Sequence, residues 1–392
     1  ACIPPLVNGL LLLYNRKENP REREQLMFIN IHVIQTVPSN NLNRDDTGAP
    51  KTLFFGDRER AMLSSQSQKR AVREEFNMKG IHTGVRTKEV IGEVEQSLEK
   101  HGQVEDLRKT AVDIIAAMGI IPNKDADKKK YLEENEDGGY EDVPTLVFMS
   151  NREINDAVEA YLKAVDDGEK PGVISKKVKE SLKSGHTVDI SLFGRMFAGA
   201  KDLNVDAACE VAPAMGVGEL RQEQDYFTAV DDLKKTSGSS MIGVVGYNSS
   251  TLYRYANINY TALKENLGGS MNAAEAVTKF VDAFVKTLPS GKQHAFAART
   301  LPGYVEVTVD DSQPISYANA FLNPVRPEVD SLTGEELSVE DVAIERLQQY
   351  EGDVAAAYGV PTRVFTFRVG DKDTTLKHVE EGLKSFLEEQ DK

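Results

Sequence analysis

The 392-residue sequence predicts an α+β fold, a split βαβ sheet interrupted by a helical insertion. Three observations lead there. Phe28-Ile29-Asn30-Ile31-His32-Val33-Ile34-Gln35 sets Ile29, Ile31 and Val33 in alternation with Asn30 and His32, the pattern of a half-buried strand. Leaving one long stretch aside, the periodic segments that follow read helix, strand, strand, helix, strand, a ferredoxin-like or RRM-like plan. That stretch, residues 86–183, is charged, helix-like and broken by an acidic loop at Gly138-Gly139. Residues 27–85 and 186–392 are therefore expected to carry the sheet, with residues 86–185 inserted.

The elements are justified in chain order. Residues 1–26, with Pro4-Pro5, a four-leucine run and a charge-dense Arg16 to Glu24, lack apolar periodicity, so little stable structure is expected there. A natural start at Met27, with non-native or upstream-derived residues before it, is the matching expectation. After a polar loop at Pro38 to Gly56, Ser65 with Gln68 three residues on fits a capping box that opens a helix. Strands are predicted at Thr187–Phe193 and at Val205–Ala212, the latter ended by Pro213, which cannot donate to a ladder. A longer strand is predicted at Tyr247–Tyr260, a helix at about Ala273–Leu288 and a strand at Tyr304–Val309. Between Val205–Ala212 and Gly246 lies a Gly-, Ser- and Lys-containing excursion, read as a projecting hairpin at about 219–246.

Composition narrows the function classes. No run approaches the roughly 18 to 20 apolar residues of a membrane span, and the charges near Leu10 to Leu13 follow the leucines, which excludes a secretory signal. With only Cys2 and Cys209 there is no disulfide framework and no four-cysteine zinc set, and a reducing cytoplasm is the expected setting. The formal charge of −15 argues against a generally basic coat for nucleic acid. Its distribution matters more. Glu133 to Asp142 and Arg326 to Asp353 hold most of the excess acid, whereas Arg58 to Arg73 carries Arg58, Arg60, Lys69, Arg70 and Arg73 against Glu59 alone.

Catalytic and cofactor signatures are sparse. Gly291-Lys292 lacks the context of a P-loop, Gly216-x-Gly218 lacks its third glycine, and neither HExxH nor GxSxG occurs. The six histidines are scattered without ligand spacing, so no metal or cofactor is expected. Asp45-Asp46 and Asp231-Asp232 are paired carboxylates of the kind that form turns or, less commonly, act as acid and base. More informative is the segment from Ser64 to Arg73. A helix puts Gln66, Lys69, Arg70 and Arg73 on one face, with Ser64 at an N-terminus whose free N–H groups favour phosphate. Such a row suits a sugar–phosphate backbone and reads shape and charge rather than base sequence. Arg195-Met196, after a predicted strand, pairs a cation with an apolar side chain in the manner of a wedging or stacking element. Tyr226, Phe227 and Thr228 on the projecting hairpin form a further nucleotide- or partner-facing candidate.

At these residues the sequence resembles the backbone subunit of the type I-E CRISPR surveillance complex Cascade, the CasC-type protein of the RAMP superfamily. The matching stretches include Phe28-Ile-Asn-Ile-His-Val33, Leu42-Asn-Arg-Asp-Asp46, Ser64-Ser-Gln-Ser67 and Val188-Asp-Ile190 with Gly194-Arg-Met196. Phe227-Thr-Ala-Val-Asp-Asp-Leu233, Tyr253-Arg-Tyr-Ala-Asn-Ile-Asn259, Glu265-Asn-Leu-Gly-Gly269 and Ala318-Asn-Ala-Phe321 continue them, in order, from Met27 to about Val325.

The resemblance implies a right-hand-like subunit with an RRM-like palm, helical fingers and a β-hairpin thumb that reaches the next copy. It implies partners as well: CRISPR RNA, target DNA through the guide, further copies of the chain and other Cascade subunits, with no membrane. Carried over residue by residue, Arg44, Ser64, Gln66, Lys69, Arg70 and Arg73 fall on a loop and helix that contact the RNA backbone. Arg195 and Met196 fall beside a displaced nucleotide, Tyr226, Phe227 and Thr228 on the thumb, and Lys292 and Gln293 on a further backbone-contacting loop. The implied role is structural and non-enzymatic. The rival class is a RAMP ribonuclease using His32 with Asp45 or Asp46, and a third reading is a free-standing RRM-type regulator, monomeric on RNA.

Overall fold

The computed structural model describes residues 26–392 apart from 103, 137, 231, 234–238, 332, 360 and 362. The expectations for residues 1–25 and for Asp231 lie outside the described residues. In the first third of the chain come β1 (Phe28–Asn40), β2 (Thr52–Phe55), β3 (Arg58–Leu63), α1 (Ser65–Met78) and β4 (Val85–Thr87). Next are α2 (Val90–His101), α3 (Leu107–Met118), α4 (Asp125–Leu132), β5 (Val147–Met149), α5 (Asn151–Asp166), α6 (Pro171–Ser181) and α7 (Val188–Phe193). Then follow β6 (Cys209–Val211), β7 (Ala214–Gly216), β8 (Gln222–Val230), β9 (Ser239–Asn259), α8 (Tyr260–Leu267), α9 (Ala273–Lys286) and α10 (Gln293–Phe296). The chain closes with β10 (Tyr304–Asp310), β11 (Glu328–Val329), β12 (Glu336–Leu337), α11 (Val339–Tyr358), β13 (Arg363–Arg368) and α12 (Leu376–Gln390).

The main sheet runs β13-β10-β1-β9-β7-β3-β2, with β6 and β8 also paired to β9, and every pairing in it is antiparallel. β1 lies inside it, its Phe28 opposing Asp310 on one side and Asn259 on the other. Alternation assigns the faces. Ile29, Ile31 and Val33 pack with Val72 and Phe76 of α1 and Val277, Phe280 and Phe284 of α9. The opposite face, expected to be half-exposed, is covered. Asn30 and His32 are fully buried because residues 315–325 and α11 lie over them, bringing Tyr317, Phe321, Ile344 and Leu347. The polar groups are taken up locally: Tyr255 Oη donates to Asn30 Oδ1 at 2.8 Å, and His32 Nδ1 lies 2.9 Å from Tyr253 Oη. A separate apolar core joins α2, α3, α5 and α6 through Val94, Leu98, Ile115, Val158 and Val178.

Three local expectations are corrected. Thr187–Phe193 is not a strand: Val188–Phe193 forms α7, buried at all six positions, and Gly194 (φ 74°) stops it. A six-residue alternation of apolar residues fits either structure, and here the Asp189 carboxylate, which accepts from Ile190 N and Thr187 Oγ1, holds the helical turn. Only Cys209–Val211 of Val205–Ala212 is a strand, although Val205 makes an isolated bridge to Arg195. The cap of α1 is Ser64, not Ser65, its Oγ accepting from Ser67 N at 3.3 Å, while Gln68 turns inward to donate to the Ala212 carbonyl.

Candidate nucleic-acid interface

Three chain segments meet at the start of α1. Asn43 Oδ1 accepts from Ser64 N at 2.8 Å, which ties the loop carrying Arg44 to the helix cap. The loop is closed by Asp45, whose carboxylate accepts from Thr47 Oγ1, Thr47 N and Ala49 N. The Thr47 hydroxyl above all holds that carboxyl below its ordinary range. Asp45 is thus a turn former. On the other side, Gly291 presses so closely on the Leu42 and Asn41 carbonyls that a side chain there would collide with Leu42 O. Lys292 follows in the left-handed region (φ 52°) and is exposed, so Arg44, Ser64 and Lys292 flank one short stretch, Leu42–Asn43. Gln66 is exposed on the first turn of α1, and Gln293 is half-buried, its Oε1 without a partner among the described residues.

The basic segment separates into buried or firmly paired cations and exposed or unpaired ones. Arg60 is fully buried and donates to the carbonyls of Gly216, Val217, Gly218, Phe321 and Leu322. Arg58 lies 4.0 Å from Glu219. Arg70 pairs with Glu74 one turn on, both exposed, a contact worth little and easily exchanged for a phosphate. Arg73 is held more firmly, donating to Asp189 at 2.9 Å and to the Gly84 carbonyl at 2.8 Å. Lys69 lies over the Phe193 ring, 5.5 Å from its centre, with no carboxylate within ion-pair distance among the described residues.

Arg195 does not stand on this surface. Its side chain is buried, donates to Glu153 at 2.6 Å and to the Leu203 carbonyl at 3.2 Å, and lies over Phe197. Moving Arg195 to the surface would leave Glu153 buried without its guanidinium, which keeps the side chain inside. His186 Nδ1 lies 2.8 Å from the same Glu153 oxygen. Burial raises the Glu153 pKa, but the His186 hydrogen bond and the Arg195 charge outweigh it and hold the carboxyl below its ordinary range. Met196, next in the chain, is 78% exposed. Tyr226 and Thr228 are exposed on the β8–β9 hairpin, and Phe227, more sheltered, lies against Gly243 of the opposing strand.

Sequence reasoning missed Arg254. Buried on β9, it donates to Gln35 Oε1, Gln68 Oε1 and the carbonyls of Phe284 and Thr287, so one guanidinium fastens β1, α1 and the end of α9. With no ion-pair partner among the described residues, burial pushes its pKa down to about 9. A signal existed: Arg254 alternates in phase with Leu252, Ala256 and Ile258, the apolar face of the strand. His32, one of the ribonuclease suspects, is sealed under Tyr317, 4.3 Å between ring centres, and burial pushes its pKa down to about 3. Among the described residues no group of three or more His, Cys, Asp or Glu stands together to hold a metal ion, and no helix is long and apolar enough to cross a membrane.

A family model for CT1975-like proteins matches residues 29–389. The chain belongs to this family. For this CT1975-like chain the match continues through α11, β13 and α12, beyond the stretches that carry the sequence resemblance. Among solved structures it is similar to a chain described as "CRISPR RNA-guided surveillance complex, pre-nicking", with 31% identity over 93% of this chain and 100% of that one, and a TM-score of 0.74. A second chain, from a "CRISPR RNA-guided surveillance complex", has 28% identity over 92% and 99% with a TM-score of 0.66. No curated protein matches the chain.

Proposed function

We propose that this chain is the non-enzymatic, CasC-type backbone subunit of a type I-E CRISPR surveillance complex of the Cascade kind. On this reading it works in the cytoplasm, holds the CRISPR RNA backbone, and assembles with copies of itself and with other Cascade subunits. Guide bases are left open to pair with target DNA. The observation that carries the reading is the end-to-end likeness to a chain of a CRISPR RNA-guided surveillance complex. The strand order β10-β1-β9-β6 with α1 and α9 on one face supports an RRM-like palm over residues 27–85 and 186–392. Residues 86–185 would be the fingers and the β8–β9 hairpin, at about 219–246, the thumb.

The role of the surface follows from its chemistry. Arg44, Ser64, Gln66, Lys69 and Lys292 offer charge and N–H or O–H donors from three chain segments to one anionic strand, and Arg70 joins them by releasing Glu74. Phosphate contacts carry no base information, so sequence discrimination is left to guide–target pairing. Against the ribonuclease reading, His32 is sealed beneath Tyr317 and Asp45 is engaged by its own loop. Expression beside a CRISPR array tests the proposal: RNA of one fixed length should co-purify with the chain. Protein free of RNA, or carrying RNA of random length, would overturn it.

A further inference from the structure

We propose a second phosphate-binding position on this surface, formed by Arg86 of β4 and the outer edge of Arg73 around the ring of Phe148; it rests on the RNA-binding reading above. The guanidinium carbons of Arg73 and Arg86 lie 4.7 and 4.6 Å from the centre of the Phe148 ring. The ring comes this close because residue 84 is glycine: a Cβ there would stand 2.7 Å from Phe148 Cε2. Two like charges on one ring repel each other, and the neighbouring carboxylate is already engaged. Asp189 accepts from Arg73 Nε at 2.9 Å, from Gly84 N at 3.0 Å and from Thr187 Oγ1 at 2.8 Å. Among the described residues no carboxylate lies within ion-pair distance of Arg86, which is exposed.

The cluster thus holds two guanidiniums against one saturated carboxylate, a net positive charge that the chain leaves unneutralised. Arg73 uses Nε and Nη2 for Asp189 and Gly84, and its Nη1 has no partner among the described residues. Stacking holds both planar groups in place, so an oxygen anion meets oriented N–H donors at small entropic cost. Position names the anion. Lys69 and Arg73 stand one turn apart on α1 and Arg86 lies beyond Arg73, so the three cations continue the line that begins at Ser64 and Gln66. The ligand is the ribose–phosphate backbone of single-stranded RNA, running from α1 toward the 86–185 insertion.

The test uses the full chain, a fluorescein-labelled CRISPR repeat–spacer transcript, and anisotropy over a salt series, with Arg86→Gln measured beside Lys69→Gln. Arg86→Gln should weaken binding about tenfold, the worth of one charge-assisted contact. It should lower the log–log salt slope by about 0.7 and leave the melting temperature in place. Wild-type affinity and slope in Arg86→Gln, with weakened binding in Lys69→Gln, would overturn the second position and leave the RNA-binding reading standing. No effect in either variant would overturn both. Should Arg86→Gln melt early, Arg86→Lys decides: a retained salt slope supports the site, and a loss equal to that of the glutamine variant overturns it. Displacement of the transcript by an equal concentration of double-stranded DNA would contradict the assignment to single-stranded RNA.

Discussion

The resemblance puts Lys69 and Arg195 alike against RNA, yet their surroundings give them opposite work. Lys69 is half-buried over the Phe193 ring without an ion-pair partner among the described residues, so charge reversal at Lys69 and Arg70 should weaken RNA binding with little sequence preference and little loss of stability. The salt slope should fall by roughly 0.7 per lost contact, measured by anisotropy from low to moderate salt. Arg195→Met should behave in reverse, costing about 3–5 kcal/mol of folding stability because Glu153 is left buried without its guanidinium. Chemical denaturation reads that loss directly. The pH dependence has a definite sign. Glu153 has a folded pKa below its unfolded value, so its contribution is present above about pH 4.5 and is lost as the pH falls through the folded value.

At the scale of elements, the deciding feature is that α11 and residues 315–325 close the polar face of the sheet. Closure buries Glu306 of β10 against Glu351 of α11. Burial, with the Glu351 charge, pushes the Glu306 pKa up to about 8. An acid whose folded pKa is raised stabilises the protein fully below its unfolded value and loses that contribution as the pH rises through the folded one. Stability should therefore decline between about pH 4.5 and 8, and Glu306→Gln should flatten the decline in a series of thermal melts. The hairpin behaves differently. Tyr226 is 62% exposed and Phe227 37%, so replacing both with alanine should change folding stability by about 0.5 kcal/mol or less. The same change should impair assembly on RNA, seen by sizing and nuclease footprinting. A large drop in melting temperature would place Phe227 in the core instead.

The elements that were legible in the sequence are those whose apolar and polar residues follow one clear period. β1 alternates from Ile29 to Val33, α9 repeats its apolar positions over four turns, and β10 reads apolar at every second residue. Val188–Phe193 was not legible, because six residues cannot separate period 2 from a helix buried on all sides. The surface was legible as a row on α1, since helical spacing alone brings Gln66, Lys69 and Arg70 together. What spacing cannot reveal is which cation meets a buried carboxylate from a distant segment. Arg73 finds Asp189 and Arg195 finds Glu153, 116 and 42 residues away in sequence.

For the whole molecule, a net charge of −15 and an RNA-binding role agree if the cations stand along one path and the acids elsewhere. The acidic residues of α11 and of the 133–142 loop lie on elements other than those that meet at the start of α1. On the proposed function, many copies bind one RNA without cutting it. Native mass spectrometry of the purified chain mixed with a full-length CRISPR transcript, with and without magnesium, decides this. The expected result is a ladder of species with successive copies on one intact RNA, filling cooperatively as protein is added. A single copy per RNA, or a transcript cut to defined fragments in magnesium, would contradict it.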